Sequence, residues 1–365
     1  MSVQCGIIGL PNVGKSTIFS CLTKLIVAAE NYPFCTIDPN VSSVAVPDER
    51  LFRLANIAKS AAVIPSFCDF VDIAGLVAGA SKGEGLGNQF LSHIREADAL
   101  IHVVRCFSDE NIVHVNGIVD PVADVRVIQL ELVLSDIDVL ERYLAKQAKN
   151  LKASRQKDVA ERLELVEFVL NQMNSNAVLV RNMNLDEDQI EIIRPLNLLT
   201  NKPFLYCANV DEPDQSKNEH LAKLSLLAKD EGVDFLALNA SSERELIDLS
   251  DDERQEFLSY MGFADSGLNR LVKYAYRLLG RHSFFTVGPK EAHSWTIPVG
   301  TRAQSAAGVI HSDMEKGFIR AETISYEDYV LCNGPQGAKE AGKMRLEGKE
   351  YVVNDGDIIH FRFNV

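Results

Sequence analysis

Nine residues near the amino terminus, Gly9 to Thr17, constrain the fold of this chain more than any other stretch. Their sequence, GLPNVGKST, fills the pattern G-x-x-x-x-G-K-[ST], in which glycines let backbone N–H groups surround phosphate oxygens. A short apolar run at residues 3–8 precedes the pattern, and residues 16–26 follow it as a predicted helix. This order of strand, loop and helix predicts an α/β domain that binds a nucleotide.

Each residue type in this loop has a chemical reason to be there. Lys15 supplies a positive charge to the β- and γ-phosphates, and the Ser16 hydroxyl is placed to ligate Mg²⁺. The dipole of the helix that starts near Lys15 adds positive potential at the same point. A glycine turn with an exposed lysine is the alternative interpretation. The other nucleotide contacts predicted in the loop are Asn12, Val13, Gly14 and Thr17.

Two later stretches match the elements that sense a γ-phosphate. Residues 31–40 form a proline-containing loop whose Thr36 is the candidate Mg²⁺ and γ-phosphate contact. A predicted strand then ends in a D-x-x-G element, in which Asp72 would hold Mg²⁺ and the Gly75 N–H would sense the phosphate. A turn with a helix cap would use the same residues. The glycine-rich residues 79–87 follow, and they predict a mobile switch segment.

The residue that activates water for hydrolysis is not evident. Ras-like enzymes place a glutamine directly after the D-x-x-G glycine, whereas this chain has Leu76. His102 is a candidate substitute, because an imidazole can orient or deprotonate water near neutral pH. It lies in an apolar predicted strand, so a core histidine is the competing interpretation.

Composition predicts a soluble cytoplasmic protein. The chain has 365 residues and a formal net charge of −14, and it contains no apolar run of membrane-spanning length and no apparent secretory signal. The first 280 residues carry 27 Lys and Arg against 40 Asp and Glu, which argues against non-specific DNA binding. Seven widely spaced cysteines without a C-x-x-C pair argue against disulfides and structural zinc.

The hydrophobic pattern divides the chain into three parts. Residues 125–195 contain apolar side chains at alternating spacings of three and four, which predicts a helical hairpin inserted into a nucleotide-binding domain at residues 1–280. A protruding coiled coil and a pair of core-packing helices fit this spacing equally. Residues 281–365 are rich in predicted strands and form a carboxy-terminal α+β domain.

Several stretches together resemble the Obg-like ATPases, the YchF group of translation-factor-class P-loop proteins. They are the loop at residues 9–17, NYPFCTIDPN at 31–40, VDIAGLVAGASKGEGLGNQFL at 71–91, HSDMEKGFIRAE at 311–322 and NDGDIIHFRFNV at 354–365. The resemblance implies a Ras-like P-loop domain with a coiled-coil insertion and a terminal β-grasp domain of the TGS type. It also implies ATP hydrolysis in the cytosol and association with ribosomes.

The base-recognition element separates ATP from GTP. GTPases use N-K-x-D, whose aspartate reads guanine, but residues 209–212 are NVDE and lack both the lysine and an aspartate at the fourth position. The resemblance implies that this N-x-x-E form prefers ATP, with Asn209 and the Val210 backbone meeting adenine. A further strand at residues 235–238 leads to Ser241, in a loop that is expected to close over the base.

Two cations are predicted. Ser16, Thr36 and Asp72 form the expected Mg²⁺ site. Asn12 occupies the loop position at which potassium-activated relatives place an asparagine near K⁺. The favoured function is a Mg²⁺-dependent, ATP-hydrolysing switch acting with ribosomes. A GTPase switch, a small-molecule kinase and a non-catalytic nucleotide-binding scaffold are the alternatives.

Overall fold

The computed structural model describes residues 4–27, 40–73, 86–150, 157–211, 218–261 and 263–364. Contacts between Cα atoms divide the chain into two compact units. The first unit comprises residues 1–22, 38–42 and 70–268, and the second comprises residues 23–37, 43–69 and 269–365. Each unit therefore combines segments that are distant in the sequence.

The described residues form twelve β-strands and fourteen α-helices, which are joined by loops and short 3-10 turns. The strands are β1 Gln4–Ile8, β2 Val41–Ala45, β3 Ala62–Ile64, β4 Phe67–Asp72, β5 Ala99–Arg105, β6 Phe204–Asn209, β7 Asp234–Leu238, β8 Arg281–Val287, β9 Glu291–Pro298, β10 Phe318–Ile324, β11 Arg345–Glu347 and β12 Ile358–Phe363. The helices are α1 Lys15–Val27, α2 Glu49–Ala58, α3 Leu86–Glu96, α4 Pro121–Asn150, α5 Lys157–Asn176, α6 Glu187–Ile193, α7 Glu219–Glu231, α8 Ala240–Ile247, α9 Asp251–Tyr260, α10 Gly267–Leu278, α11 Ala303–Ile310, α12 Ser312–Lys316, α13 Tyr326–Leu331 and α14 Pro335–Glu340. Of these helices, none combines the length and the apolar character needed to cross a membrane.

The first sheet has the strand order β2-β4-β1-β5-β6-β7. Its strands β1, β5, β6 and β7 run parallel, and every residue of β5 and β6 is buried. Such fully buried parallel strands are typical of a sheet covered on both faces. Because the strands are parallel, the loops that follow them emerge at one edge of the sheet.

The predicted helical hairpin corresponds to α4 and α5. The helix α4 begins at Pro121, before the predicted residue 125, because the Asp120 carboxylate accepts hydrogen bonds from the first-turn N–H groups of Val122 and Ala123. Both helices pack against the segment that follows them. Their shared core contains Val133, Leu140, Leu165, Val166, Val169, Met173, Leu179, Val180, Ile193 and Leu198. Leu130, one of the apolar residues in the predicted hairpin, is 49% exposed. The described part of the hairpin is thus a packed core rather than a narrow coiled-coil seam.

The second sheet has the strand order β11-β10-β12-β8-β9-β3. β8 and β9 are antiparallel, β10 pairs antiparallel with β11 and β12, and β12 lies parallel to β8 in the centre. This arrangement is that of a β-grasp sheet, extended by β3 at one edge. α11 covers one face, where Ala303, Ala306 and Ala307 pack against Phe284 and Ile359.

The other face of this sheet is covered by α2. Leu51 and Leu54 pack against Phe285 and Ile358, and Arg50 forms an ion pair with Asp355. β3 also joins the sheet by pairing parallel with β9. The sequence-based division at residue 280 did not anticipate that residues 43–69 contribute to this unit. The amphipathic pattern of α2 is local, whereas the partner it covers lies more than two hundred residues away.

Candidate nucleotide-binding site

A cavity of about 520 Å³ lies in the first unit, at the carboxyl ends of β1, β5, β6 and β7. Ligands of open α/β sheets bind at this edge. Four loops line the cavity, through Asn12, Gly14, Lys15, Ser16 and Thr17; Phe107, Ser108, Asp109 and Ile112; Asn209, Val210 and Asp211; and Asn239, Ala240 and Ser241. All the nucleotide contacts predicted from the sequence line it except Val13.

The phosphate loop is held in shape by its own backbone groups. The Lys15 ammonium donates hydrogen bonds to the carbonyl oxygens of Gly9 and Leu10, both at 3.0 Å. Lys15 is 7% exposed, and burial lowers its pKa while the Asp72 carboxylate opposes that shift. Val13 is buried beneath the loop. The charge of Lys15 therefore acts from a site with little solvent to screen it.

Asn209 ties the phosphate loop to the opposite wall. Its Nδ2 donates to the Val13 carbonyl and its Oδ1 accepts from the Ala240 N–H, both at 3.0 Å. Gly14 has φ +99°, and a Cβ at that position would lie 2.3 Å from Asn209 Nδ2. Glycine at 14 is thus required by both the backbone and the bridge. Since both polar atoms of Asn209 already bind protein groups, a base contact would use the second Nδ2 hydrogen.

The wall beside Val210 is ordered by its own hydrogen bonds. The Val210 N–H donates to the Leu238 carbonyl at 3.0 Å. The Asn239 Oδ1 accepts from the N–H groups of Ser241 and Ser242, and its Nδ2 donates to the Asp211 carbonyl. This wall begins α8 with a side-chain cap, and Ser241 lies in the first turn of that helix.

The sequence-based prediction missed the wall that follows β5. Arg105 is buried, and its guanidinium donates to the carbonyl oxygens of Phe107, Asp109 and Ile112 at 3.1, 3.2 and 2.9 Å. The Asn12 Nδ2 donates to the Val113 carbonyl at 3.1 Å, which joins this loop to the phosphate loop. An arginine at the end of an otherwise apolar strand is the one signal in the sequence that pointed to this arrangement.

His102 lies outside the cavity lining. It is 1% exposed, and its ring packs against those of Phe204 and Tyr206 at centroid distances of 5.7 and 5.8 Å. Burial, with smaller contributions from the charges of Lys15 and Arg181, lowers its pKa to about 3. The imidazole is therefore neutral near pH 7 and a weak base. These are the contacts of a core histidine, the competing interpretation of the sequence.

The predicted metal ligands are described only in part. Asp72 ends β4, and its buried Oδ1 has no hydrogen-bond partner within the described residues. Burial raises the pKa of this carboxyl, and the Lys15 charge opposes the shift. Ser16 lines the cavity. Thr36, Gly75 and residues 79–85 of the predicted switch segment lie outside the described residues.

The oxygen donors that are described fit a hard cation. The described part of the chain contains no group of three or more His, Cys, Asp or Glu residues that could hold a metal. Mg²⁺ does not need such a cluster, because it uses one or two carboxylates together with waters and substrate phosphates. A hydroxyl from Ser16 and an unpartnered carboxylate oxygen from Asp72 satisfy that requirement.

Comparisons with known proteins cover the whole chain. Residues 4–209 match a family model described as "50S ribosome-binding GTPase", and residues 282–364 match the model YchF-GTPase_C, described as a protein of unknown function. Relatives named "Ribosome-binding ATPase YchF" from Pasteurella multocida and Bacillus subtilis are 50% and 49% identical, with 100% of both chains covered.

Solved structures give the same result. The YchF GTPase of Schizosaccharomyces pombe matches with a TM-score of 0.90 and 38% identity, over 99% of this chain and 98% of that one. A GTP binding protein from Pyrococcus horikoshii OT3 matches with a TM-score of 0.59 and 20% identity, over 99% and 100% of the two chains. The second likeness concerns the fold alone.

Proposed function

Because this chain belongs to the YchF family, we propose that it is an ATP-hydrolysing switch that acts with ribosomes in the cytoplasm. The resemblance to this family that the sequence indicated is confirmed. The observation that carries the proposal is the cavity, in which a phosphate loop, the Asn209 bridge and the wall around Val210 converge. The relatives named ribosome-binding ATPases support both the reaction and the partner.

The chain supplies positive charge where the phosphates would lie. Two of the three Lys15 ammonium hydrogens are donated to the Gly9 and Leu10 carbonyls, which leaves the third for a β- or γ-phosphate oxygen, and α1 begins at this residue. Charge that builds up on the γ-phosphate in the transition state is stabilised most where water is excluded. Lys15 is therefore the residue to which we assign the largest direct contribution.

Ser16 and Asp72 would hold Mg²⁺, and Thr36 is proposed as a further ligand. When bound, the ion neutralises charge on the β- and γ-phosphates. Asp72 suits this role because its free oxygen is buried and because Lys15 favours its ionised form. The Gly75 N–H is proposed as the γ-phosphate sensor.

We expect the affinity for ATP to exceed that for GTP by about tenfold, which corresponds to a difference in binding free energy of about 1.4 kcal/mol. The Val210 N–H is already bound to Leu238, so the backbone group left for a base is the carbonyl. A carbonyl accepts from the adenine amino group and repels the guanine O6. Calorimetric titration with both nucleotides tests this expectation. The Glu212→Asp substitution, which restores the guanine-reading aspartate, should reduce the ratio of the affinity for ATP to the affinity for GTP. Tighter GTP binding by the parent would contradict the assignment.

We propose that K⁺ accelerates hydrolysis several-fold over Na⁺. The Asn12 Nδ2 is engaged with Val113, which leaves its Oδ1 for a cation near the phosphates. Asn12 has φ +63°, a conformation that asparagine and glycine tolerate. Asn12→Gly therefore removes the side chain without straining the loop and should abolish the response to K⁺. Equal turnover of the parent in K⁺ and Na⁺ buffers would refute the role of Asn12.

A small-molecule kinase and a non-catalytic scaffold would use the same phosphate loop. Phosphate release in the presence and absence of candidate acceptors separates these functions from the switch. The switch releases free phosphate from ATP whether or not an acceptor is present. A kinase transfers the phosphate to an acceptor, and a scaffold leaves ATP intact.

A further inference from the structure

A second cavity, of about 840 Å³, lies within the second unit beside β12. Consecutive residues line it on two sides. On one side are Ile358, Ile359, His360 and Phe361, and on the other are residues 286–291, which end β8, form the turn and begin β9. Successive side chains of a strand point to opposite faces of its sheet. A cavity lined by consecutive residues therefore runs along the edge of the strand, where the backbone lies.

The strand register explains why this edge is open. β12 pairs with β8 only at Ile358↔Phe285, and β8 ends at Val287. On its other side β12 pairs with β10 as far as Phe363↔Phe318. Within the described residues, the β8-facing edge of β12 beyond residue 358 therefore has no strand partner. Such an edge presents backbone N–H and C=O groups to whatever fills the space beside it.

Side chains from both faces of the sheet close over this space. Ile310 and Met314 reach the cavity from the face covered by α11. Tyr329 and Met344 reach it from the face covered by α2. The cavity is thus a slot that is bounded by the edge of β12 and by apolar side chains from both faces of the sheet. Its volume is within the range of about 300–1,000 Å³ found for pockets that hold small ligands.

We propose that this slot binds an extended peptide from another protein by strand addition to β12. The unpaired strand edge supplies backbone hydrogen bonds, and the apolar walls supply contacts to side chains. Because both faces are covered, the bound segment is apolar at successive positions, as in a buried parallel strand. The half-exposed carboxylate of Glu291, which also lines the cavity, favours a basic residue beside that segment, whereas Glu322 is already paired with Arg362.

The same residues disfavour a nucleic acid in the slot. The ring of Trp295 is already stacked with those of His293 and Phe284, at centroid distances of 3.7 and 6.5 Å. A nucleobase would need an open aromatic face. The charges of Lys290 and Glu291 balance each other, and Glu322 is paired with Arg362, so the lining carries no net positive charge that would attract phosphates.

Intrinsic fluorescence of the full-length protein tests the proposal directly, because Trp295 is its only tryptophan and lines the cavity. The probe is the capped peptide KKVIFVIKK. The control is the same peptide with prolines at two of the central positions, which cannot donate backbone hydrogen bonds there. A short oligouridylate is the nucleic-acid arm. We expect a saturable change with the first peptide, and a much weaker effect from the other two.

Two glycine substitutions form a matched pair. A Cβ added at Gly288 or Gly348 meets no atom within 4 Å, and neither residue has a positive φ, but only Gly288 lines the cavity. Gly288→Phe should therefore weaken peptide binding by about tenfold or more, whereas Gly348→Phe should leave it unchanged.

Three results would overturn the proposal. They are equal binding to the parent and Gly288→Phe, equal responses to the two peptides, and a response to the oligonucleotide alone. The comparison of the two peptides uses the parent protein, so it tests peptide binding to the slot even if a variant fails to fold.

Discussion

Ribosomes are expected to accelerate single-turnover ATP hydrolysis by about 10³- to 10⁵-fold, equivalent to about 4 to 7 kcal/mol of transition-state stabilisation. The isolated protein should be slow because Leu76 replaces the water-orienting glutamine. Among the described residues that line the cavity there is no arginine, and Arg105 is committed to three carbonyls. A docked partner can supply an arginine or a group that orients the attacking water.

The loop after β5 offers that partner a surface. Val113, Val115 and Ile118 are 75, 47 and 77% exposed, in a loop that Asn12 joins to the phosphate loop. Residues 107–120 contain acidic residues but no lysine or arginine, which suits a basic protein surface better than RNA. Contact here would be transmitted directly to the nucleotide.

Substitution of an exposed side chain in this loop separates activation from basal hydrolysis. Ile118→Ser should reduce acceleration by ribosomes and leave the rate of the isolated protein unchanged. Val299→Ser is the matched control, because Val299 lies in the second unit and is 67% exposed. Fast hydrolysis by the isolated parent that does not respond to ribosomes would contradict the prediction that ribosomes activate ATP hydrolysis.

Gly14→Ala is expected to weaken ATP binding by about 100-fold or more, which corresponds to about 3 kcal/mol. The new Cβ would lie 2.3 Å from Asn209 Nδ2, so the bridge from Val13 to Ala240 must open or the phosphate loop must shift. The backbone at φ +99° adds strain for any residue other than glycine. Calorimetric titration with ATP and Mg²⁺ measures the loss.

Gly232→Ala controls for backbone strain alone. Gly232 has φ +63° at the carboxyl end of α7, and a Cβ there meets no atom within 4 Å. This variant should lose about 1 kcal/mol of stability and keep its affinity for ATP. An unchanged ATP affinity in Gly14→Ala would show that the bridge does not shape the nucleotide site.

Local patterns in the sequence predicted residues that line one cavity. The loop from Gly9 to Thr17 follows a buried strand and begins a helix as expected, because its chemistry requires a fixed spacing of a few residues. Asn209 ends β6 and Ser241 lies three residues beyond the end of β7, and both line the same cavity. Carboxyl ends of such strands meet at one edge, so their order in the chain predicts their proximity.

Contacts between distant segments could not be predicted in this way. The apolar face of α2 was visible in the sequence, but the sheet that it covers begins at Arg281. Arg105 shapes the cavity through backbone carbonyls, for which no side-chain pattern exists. His102 remained ambiguous because a strand gives the same spacing for a residue that faces a site and one that faces the core.

Single-turnover hydrolysis of ATP with Mg²⁺ by the parent, Lys15→Ala and His102→Phe proteins tests the central claim most directly. Lys15 lies buried in the phosphate loop, whereas His102 packs among aromatic rings outside the cavity. Lys15→Ala is expected to slow phosphate release by about 10³-fold, through loss of transition-state charge stabilisation. His102→Phe is expected to hydrolyse ATP at the rate of the parent. Undiminished hydrolysis by Lys15→Ala would contradict the assignment of this cavity as the site of ATP hydrolysis.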